Sequence, residues 1–168
     1  MDDIPSMAKR VPLDHEEVRR RLAGRCFICE TVKGNPDYAH HVFFEDEFTV
    51  AFLSKYPTLY GYCLVAPREH LEQVAADFAE DQYVALQRVV WRVGRALTRV
   101  VPTERLYVLS LGSQQANRHV HWHVVPLPPG LPLAEQQYAA LDRADYLDIP
   151  DSELTELAAR LRTLSLES

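Results

Sequence analysis

A chain of 168 residues, 47% hydrophobic and 25% charged, has the length and apolar content of one domain with a real core. Its formal net charge of −6 argues against a nucleic-acid groove or an anionic membrane surface as partner, although local donors can still hold a compact anion. No run approaches the ~20 apolar residues of a transmembrane helix. The first residues lack the pattern of a signal peptide, and three cysteines make no disulfide framework, so a reducing cytoplasm is the expected location.

Residues 1–13 read as a loose lead-in. Asp14 is placed to cap a short helix through about Leu22, ended by Gly24, and the helix carries a solvated charged face. Cys26-Phe27-Ile28-Cys29 follows. In a reduced protein such a CxxC is a redox pair, a metal clamp or two inert buried thiols. A thioredoxin-like redox site wants the motif after a strand and opening a helix. Here it precedes Gly34-Asn35-Pro36 without a βαβ pattern, so half a metal site is the better reading.

Residues 41–45 and 48–53 read as strands joined by a tight turn at Asp46-Glu47. A third strand covers 62–66, after Gly61, and stops at Pro67; Arg68-Glu69-His70 is a loop. The spacing predicts a helix over 81–100, with Val84, Leu86, Val89, Val90, Val93, Leu97 and Val100 at intervals of three and four. Trp91 on that helix belongs to packing or an interface, and Pro102 ends the helix. A fourth strand covers 106–111, and a polar loop, 112–117, leads to the histidines.

Residues 118–126, Arg-His-Val-His-Trp-His-Val-Val-Pro, read as a strand stopped by Pro126 and the Pro128-Pro129-Gly130 turn. Strand alternation puts His119, His121 and His123 on one face, successive imidazoles roughly 7 Å apart, and Val120, Trp122 and Val124 on the other. Three of the seven histidines within five residues make a metal or catalytic face rather than packing. Beyond Pro132, helical stretches at about 134–145 and 152–164, the latter with Ser152 as N-cap, form a C-terminal appendage. Strands, a long helix and strands again imply an α+β fold with a mostly antiparallel sheet.

A neutral imidazole, with an unperturbed pKa of about 6.5, attacks phosphorus near neutral pH without prior activation. One ring nitrogen must face the phosphate while the other is held as a donor. The polar loop before the triad is the natural supply of donors for the charge that develops on phosphate oxygens.

His-x-His-x-His followed by two apolar residues resembles the signature of the histidine triad (HIT) superfamily of nucleotide hydrolases and transferases. Its CxxC-bearing, zinc-type bacterial branch is the nearest match. Phe44-Glu45-Asp46-Glu47 and Val50-Ala51-Phe52-Leu53 resemble the family's hairpin. Gly61-Tyr62-Cys63-Leu64-Val65-Ala66-Pro67-Arg68-Glu69-His70 resembles its glycine, apolar strand, proline, basic residue and histidine. The resemblance covers about residues 26–128 of a single HIT domain spanning 1–168, with 1–25 as lead-in and 131–168 as helical appendage. It implies a five-stranded, mostly antiparallel sheet and a homodimer joined through helix 81–100.

The resemblance further implies that His121 attacks the α-phosphate to form a nucleotidyl-histidine, with His123 bordering the phosphate and donating to it or to the leaving group. The donor chemistry of the loop itself, rather than the resemblance, offers Gln114, Gln115 and Asn117, with Ser110 and Ser113 behind them, as the phosphate-binding residues. One structural zinc ion would sit on Cys26, Cys29, His70 and His119, and no organic cofactor is expected. Candidate substrates are nucleoside phosphoramidates, dinucleoside polyphosphates and related adenylylated compounds. Three positions depart from the family pattern, the first being Ser110, where most relatives carry Asn or Gln. Ser54 stands where relatives often carry Asp or Asn for the ribose, and Ala116 stands where a hydroxyl is expected before the triad. A non-catalytic nucleotide-binding module, or a metal-dependent hydrolase using the whole histidine cluster, remain the alternatives. Phe27, Ile28, Phe44 and Leu53 are candidates to sandwich a base. His15, His40 and His41 are expected at the surface and Cys63 in the core.

Overall fold

The computed structural model describes residues 8–111, 117–141 and 144–166. In chain order the elements are β1 (Lys9–Pro12), α1 (His15–Leu22), α2 (Phe27–Val32), a 3₁₀ turn (Pro36–Tyr38), β2 (Val42–Glu45), β3 (Thr49–Leu53) and β4 (Cys63–Pro67). They continue with α3 (Glu80–Val100), β5 (Arg105–Leu109), β6 (Trp122–Leu127), α4 (Leu133–Leu141), β7 (Asp145–Asp148) and α5 (Asp151–Leu166). Five strands form one sheet in the order β2-β3-β4-β6-β5, every neighbouring pair antiparallel. This is the expected α+β, five-stranded antiparallel architecture.

The β2–β3 turn is closed by Asp46, whose Oδ1 accepts from the backbone N–H groups of Phe48 (2.9 Å) and Thr49 (2.6 Å). Pleating then divides the sheet's residues between two cores. Ala51, Leu53, Cys63, Val65, Trp122 and Val124 face α3, which presents Leu86, Val90, Val93 and Leu97. Val50, Phe52, Leu64, Ala66, Val125 and Leu127 face the other way, toward Ile28 of α2 and Ala139–Ala140 of α4. Both central strands β3 and β4 are buried along their whole length because each face is covered. Helix α3 lies close on the sheet's edge: a Cβ on Gly94 would meet Leu106 Cδ2 at 2.6 Å. Cys63 is a fully buried thiol.

Three expectations from the sequence are corrected. The lead-in holds β1, which pairs antiparallel with β7, Lys9 opposite Asp148 and Pro12 opposite Asp145. The histidine strand begins only at Trp122 and runs through Pro126 to Leu127. The last helix is no appendage: Leu157, Ala158 and Leu161 of α5 join the core beneath α3, and Ser152 lies inside its first turn. Leu161 is fully buried. Replacing it with alanine is expected to cost about 2–5 kcal/mol, the usual range for a buried leucine. Urea unfolding would measure it, and a loss under about 0.5 kcal/mol, typical of a surface position, would mean that α5 docks loosely.

Candidate active site and metal centre

Cys26 is the N-cap of α2 and its Sγ accepts from Cys29 N at 3.5 Å, so a short helix places both thiols on one side of its first turn. The CxxC thus opens a helix, although it follows no strand. Opposite stands His119, with Nδ1 3.4 Å from Cys26 Sγ and 3.5 Å from Cys29 Sγ; His70 Nδ1 lies 3.3 Å from Cys29 Sγ. One ligating atom from each of the four residues lies within 4.8 Å of every other. The outer ring nitrogens are held as donors, His119 Nε2 by the Pro67 carbonyl at 2.7 Å and His70 Nε2 by Glu72 Oε1 at 3.1 Å. A carbonyl or a carboxylate oxygen accepts, so both Nδ1 atoms are left bare toward the thiols. Burial pushes His119 down to about 4, which keeps it in the neutral, ligating form.

Tetrahedral coordination by sulfur at about 2.3 Å and imidazole at about 2.0 Å sets sulfur–nitrogen edges of about 3.5 Å. The observed spacings of 3.3–3.5 Å match that edge. The four residues therefore fit a tetrahedral metal ion. Burial, and next the Cys26 thiol, push the Cys29 thiol up to about 11, the opposite of a reactive redox thiol.

The three histidines do not line up side by side. Val120 N–H is drawn to the Leu71 carbonyl at 2.7 Å and Asn117 Oδ1 accepts from His119 N at 3.3 Å, which holds this approach segment out of the sheet ladder. His119 turns to the thiols, its ring 4.9 Å from that of His70. His121 and His123 stay together, ring centroids 4.7 Å apart. His121 Nδ1 lies 2.7 Å from the His119 carbonyl, so Nδ1 carries the proton and Nε2 is bare. Burial lowers the pKa of His121, and burial with His121 as neighbour lowers His123 to about 3. Both are neutral near pH 7.

His121, His123 and Asn117 line a cavity of about 630 Å³. Leu13, His15, Ala140 and Leu141, which lie next to the β1–β7 ribbon in sequence, also line it. A second cavity of about 610 Å³ shares Phe27, Ser54, Tyr56 and Leu64 with the first, and adds residues of α1 together with Tyr38 and His40. Two adjoining spaces of this size, apolar with a few polar groups, suit a two-part small-molecule ligand.

Ser54 lines both cavities. Ser110 is placed differently from the expectation: its Oγ donates to the His121 carbonyl at 2.9 Å, so it holds the backbone of the site. Ser113, Gln114 and Gln115 lie outside the described residues. Of the four candidates for a base sandwich, Phe27 lines the cavities, Ile28 is fully buried, and Phe44 and Leu53 belong to the core facing α3. His40 is no surface residue: it is half-buried against Phe27 and Phe52, ring centroids 5.6 and 4.9 Å away. His41 is half-buried and meets Asp151 at 3.0 Å, while His15 is exposed at the cavity mouth. Tyr62, placed on a strand by its sequence pattern, also belongs to the site. Its hydroxyl lies 2.8 Å from His123 Nδ1, and burial raises its pKa, which keeps it protonated. The signal was its place in strand β4's approach, one pleat from the core thiol Cys63.

The class defined by this arrangement is an α+β protein with a bare, neutral imidazole at a cavity beside a four-ligand thiol–imidazole cluster. The chain belongs to the HIT domain family, whose model matches residues 35–129. It is 31% identical over 104 residues to an uncharacterized HIT-like protein of Saccharolobus solfataricus, covering 60% of this chain and 73% of that one. It is 27% identical over 129 residues to adenosine 5'-monophosphoramidase hnt1 of Schizosaccharomyces pombe, covering 69% of this chain and 92% of that one. In fold it is similar to a Zn-bound histidine triad family protein from Mycobacterium smegmatis, with a TM-score of 0.65 and 23% identity, covering 85% of this chain and 94% of that chain. It is also similar in fold to a hypothetical histidine triad nucleotide-binding protein from Sulfolobus tokodaii, with a TM-score of 0.68 and 24% identity, covering 84% of this chain and 93% of that chain.

Proposed function

We propose that the chain is a nucleotide hydrolase or nucleotidyl transferase acting at the α-phosphate through a nucleotidyl-His121 intermediate. The observation that carries this reading is the hydrogen bond from His121 Nδ1 to the His119 carbonyl, 2.7 Å, at the wall of the cavity. It holds the ring and leaves Nε2 as the nucleophile. In the first step Nε2 forms the N–P bond. The bond from phosphorus to the leaving group breaks, and its electron pair departs with that group. The Tyr62 hydroxyl can donate to His123 Nδ1, which leaves a proton on His123 Nε2 for phosphate or the leaving group. Water, or another acceptor, then attacks phosphorus as its proton passes to His123 Nε2, which replaces the one given to the leaving group; the N–P bond breaks and its electron pair returns to His121 Nε2. A nucleoside phosphoramidate is the first substrate to try, because a relative named as an adenosine monophosphoramidase matches over most of its length.

A zinc ion on Cys26, Cys29, His70 and His119 would supply a structural clamp between α2 and the approach to β6. His121 and His123 stand outside that ligand set, which disfavours the metal-dependent hydrolase. Three free thiols suit a reducing compartment, and no helix among the described residues is long and apolar enough to cross a membrane.

The test is release of a mononucleotide from a panel holding adenosine phosphoramidate and a dinucleoside tetraphosphate. Samples quenched in alkali would be searched by mass spectrometry for a nucleotidyl adduct on the His121 peptide. Turnover with no adduct at His121 would sink the mechanism, and nucleotide binding without turnover would favour the non-catalytic module. We also propose a homodimer through α3. Trp91 is 58% exposed beneath Arg95, with Val84, Val108 and Leu111 also exposed on α3, on β5 and just beyond it. Light scattering is expected to give a dimer mass for the wild type and a monomer mass for Trp91→Glu. A monomeric wild type would refute it.

A further inference from the structure

His40 lies outside the triad, the thiol cluster and the catalytic cavity, yet its surroundings define its chemistry closely. Its Nδ1 is 2.8 Å from the Tyr38 carbonyl and 3.0 Å from Thr31 Oγ1. The carbonyl only accepts, so Nδ1 carries the ring proton. Thr31 does not compete for this role, because its hydroxyl proton is directed to the Phe27 carbonyl at 2.8 Å or the Tyr38 carbonyl at 3.0 Å. The tautomer is therefore fixed, and Nε2 is a bare acceptor with no hydrogen bond among the described residues. Burial lowers the pKa of the ring, which keeps it uncharged at neutral pH.

The ring is also fixed in place. It lies tilted 30° against Phe27 and edge-on to Phe52, and it lines the 610 Å³ cavity. That cavity shares Phe27, Ser54, Tyr56 and Leu64 with the one that holds His121. A nucleotide with its α-phosphate at His121 has this second space within reach for its base. Leaving a half-buried imidazole acceptor opposite an apolar ring edge costs free energy, whereas an N–H placed there satisfies it.

We propose that His40 determines base specificity: its Nε2 accepts a hydrogen bond from the N–H edge of the nucleobase, favouring an aminopurine such as adenine over the same purine without its amine. The proposal rests on the nucleotide reading above. It assigns a role to a residue outside the histidine motif, on the segment between α2 and β2.

The test compares kcat/KM for the phosphoramidates of adenosine and of purine riboside, which differ only by the exocyclic amine, in the wild type and in His40→Leu. The wild type is expected to prefer the adenosine compound about tenfold, the scale of one hydrogen bond to a neutral acceptor. In His40→Leu the ratio should collapse toward one. Calorimetric binding of AMP and purine riboside 5'-monophosphate to the wild type gives the same comparison without relying on a variant's fold. A wild-type ratio near one, in turnover or in binding, overturns the role of His40 while leaving the nucleotide reading intact. A tenfold ratio that survives in His40→Leu does the same. If the wild type neither turns over nor binds either nucleotide, the nucleotide reading fails and this inference fails with it.

Discussion

His121→Ala is expected to lower mononucleotide release by about a thousandfold or more, the scale seen when a covalent nucleophile is removed. The effect should fall on kcat, because the cavity walls that bind substrate are left in place. It should also be clean. The His121 side chain is not among the four clustered ligands, and Val120, Trp122 and Val124 pack the same segment into the opposite core. Zinc content and urea midpoint are therefore expected to stay close to those of the wild type. Steady-state kinetics beside metal analysis would check this. A variant that keeps wild-type turnover would remove His121 as nucleophile. One that loses metal or stability along with activity would show that the residue is structural.

Cys29→Ser, or stripping the metal, is expected to act the other way round, on the fold first. Cys29 stands between the two histidines, 3.3 Å from His70 Nδ1 and 3.5 Å from His119 Nδ1. A closed four-ligand site contributes its binding energy directly to folding, so its loss should cost about 3 kcal/mol or more. Turnover should then decline together with native structure, since the carbonyl that orients His121 belongs to His119, a member of the same cluster. Zinc stoichiometry of the purified protein, followed by thermal unfolding with and without a chelator, would measure the effect. A protein that gives up its metal with no change in Tm would contradict the structural role. Activity lost at full stability and regained with added metal would revive a catalytic one.

Much of this was legible in the sequence, for identifiable reasons. The helix over 80–100 announces itself because burial on one face imposes a period near 3.6, and β3 and β4 because strands covered on both faces read as short apolar runs bounded by turns. The grouping of Cys26, Cys29, His70 and His119 came from the family resemblance, since residues 93 apart carry no mutual sign along the chain. Alternation holds, since Val120, Trp122 and Val124 all enter the core facing α3, but the sheet ladder begins only at Trp122, so His119 reaches the thiols while His121 and His123 stay paired. Two bonds, from Val120 N–H to the Leu71 carbonyl and from His119 N–H to Asn117 Oδ1, hold His119 apart from the ladder. The strands β1 and β7 were hidden because they form an exposed two-stranded ribbon with no buried residue, so their sequences carry no apolar signal. His40 and Tyr62 looked ordinary because their importance lies in what surrounds them: a carbonyl that fixes one ring, and a histidine that meets one hydroxyl.

The β1–β7 ribbon has one more consequence. Lys9 meets Asp148 across almost the whole described chain, so the pairing closes a very long loop, and such closures carry the largest entropic cost. Leu13 and His15 beside one strand, and Ala140 and Leu141 ahead of the other, line the cavity at His121 and His123. A chain whose central sheet has formed but whose ribbon is still open would present the two imidazoles to bulk solvent. The walls of the cavity at His121 and His123 thus depend on a pairing between segments far from them in the chain.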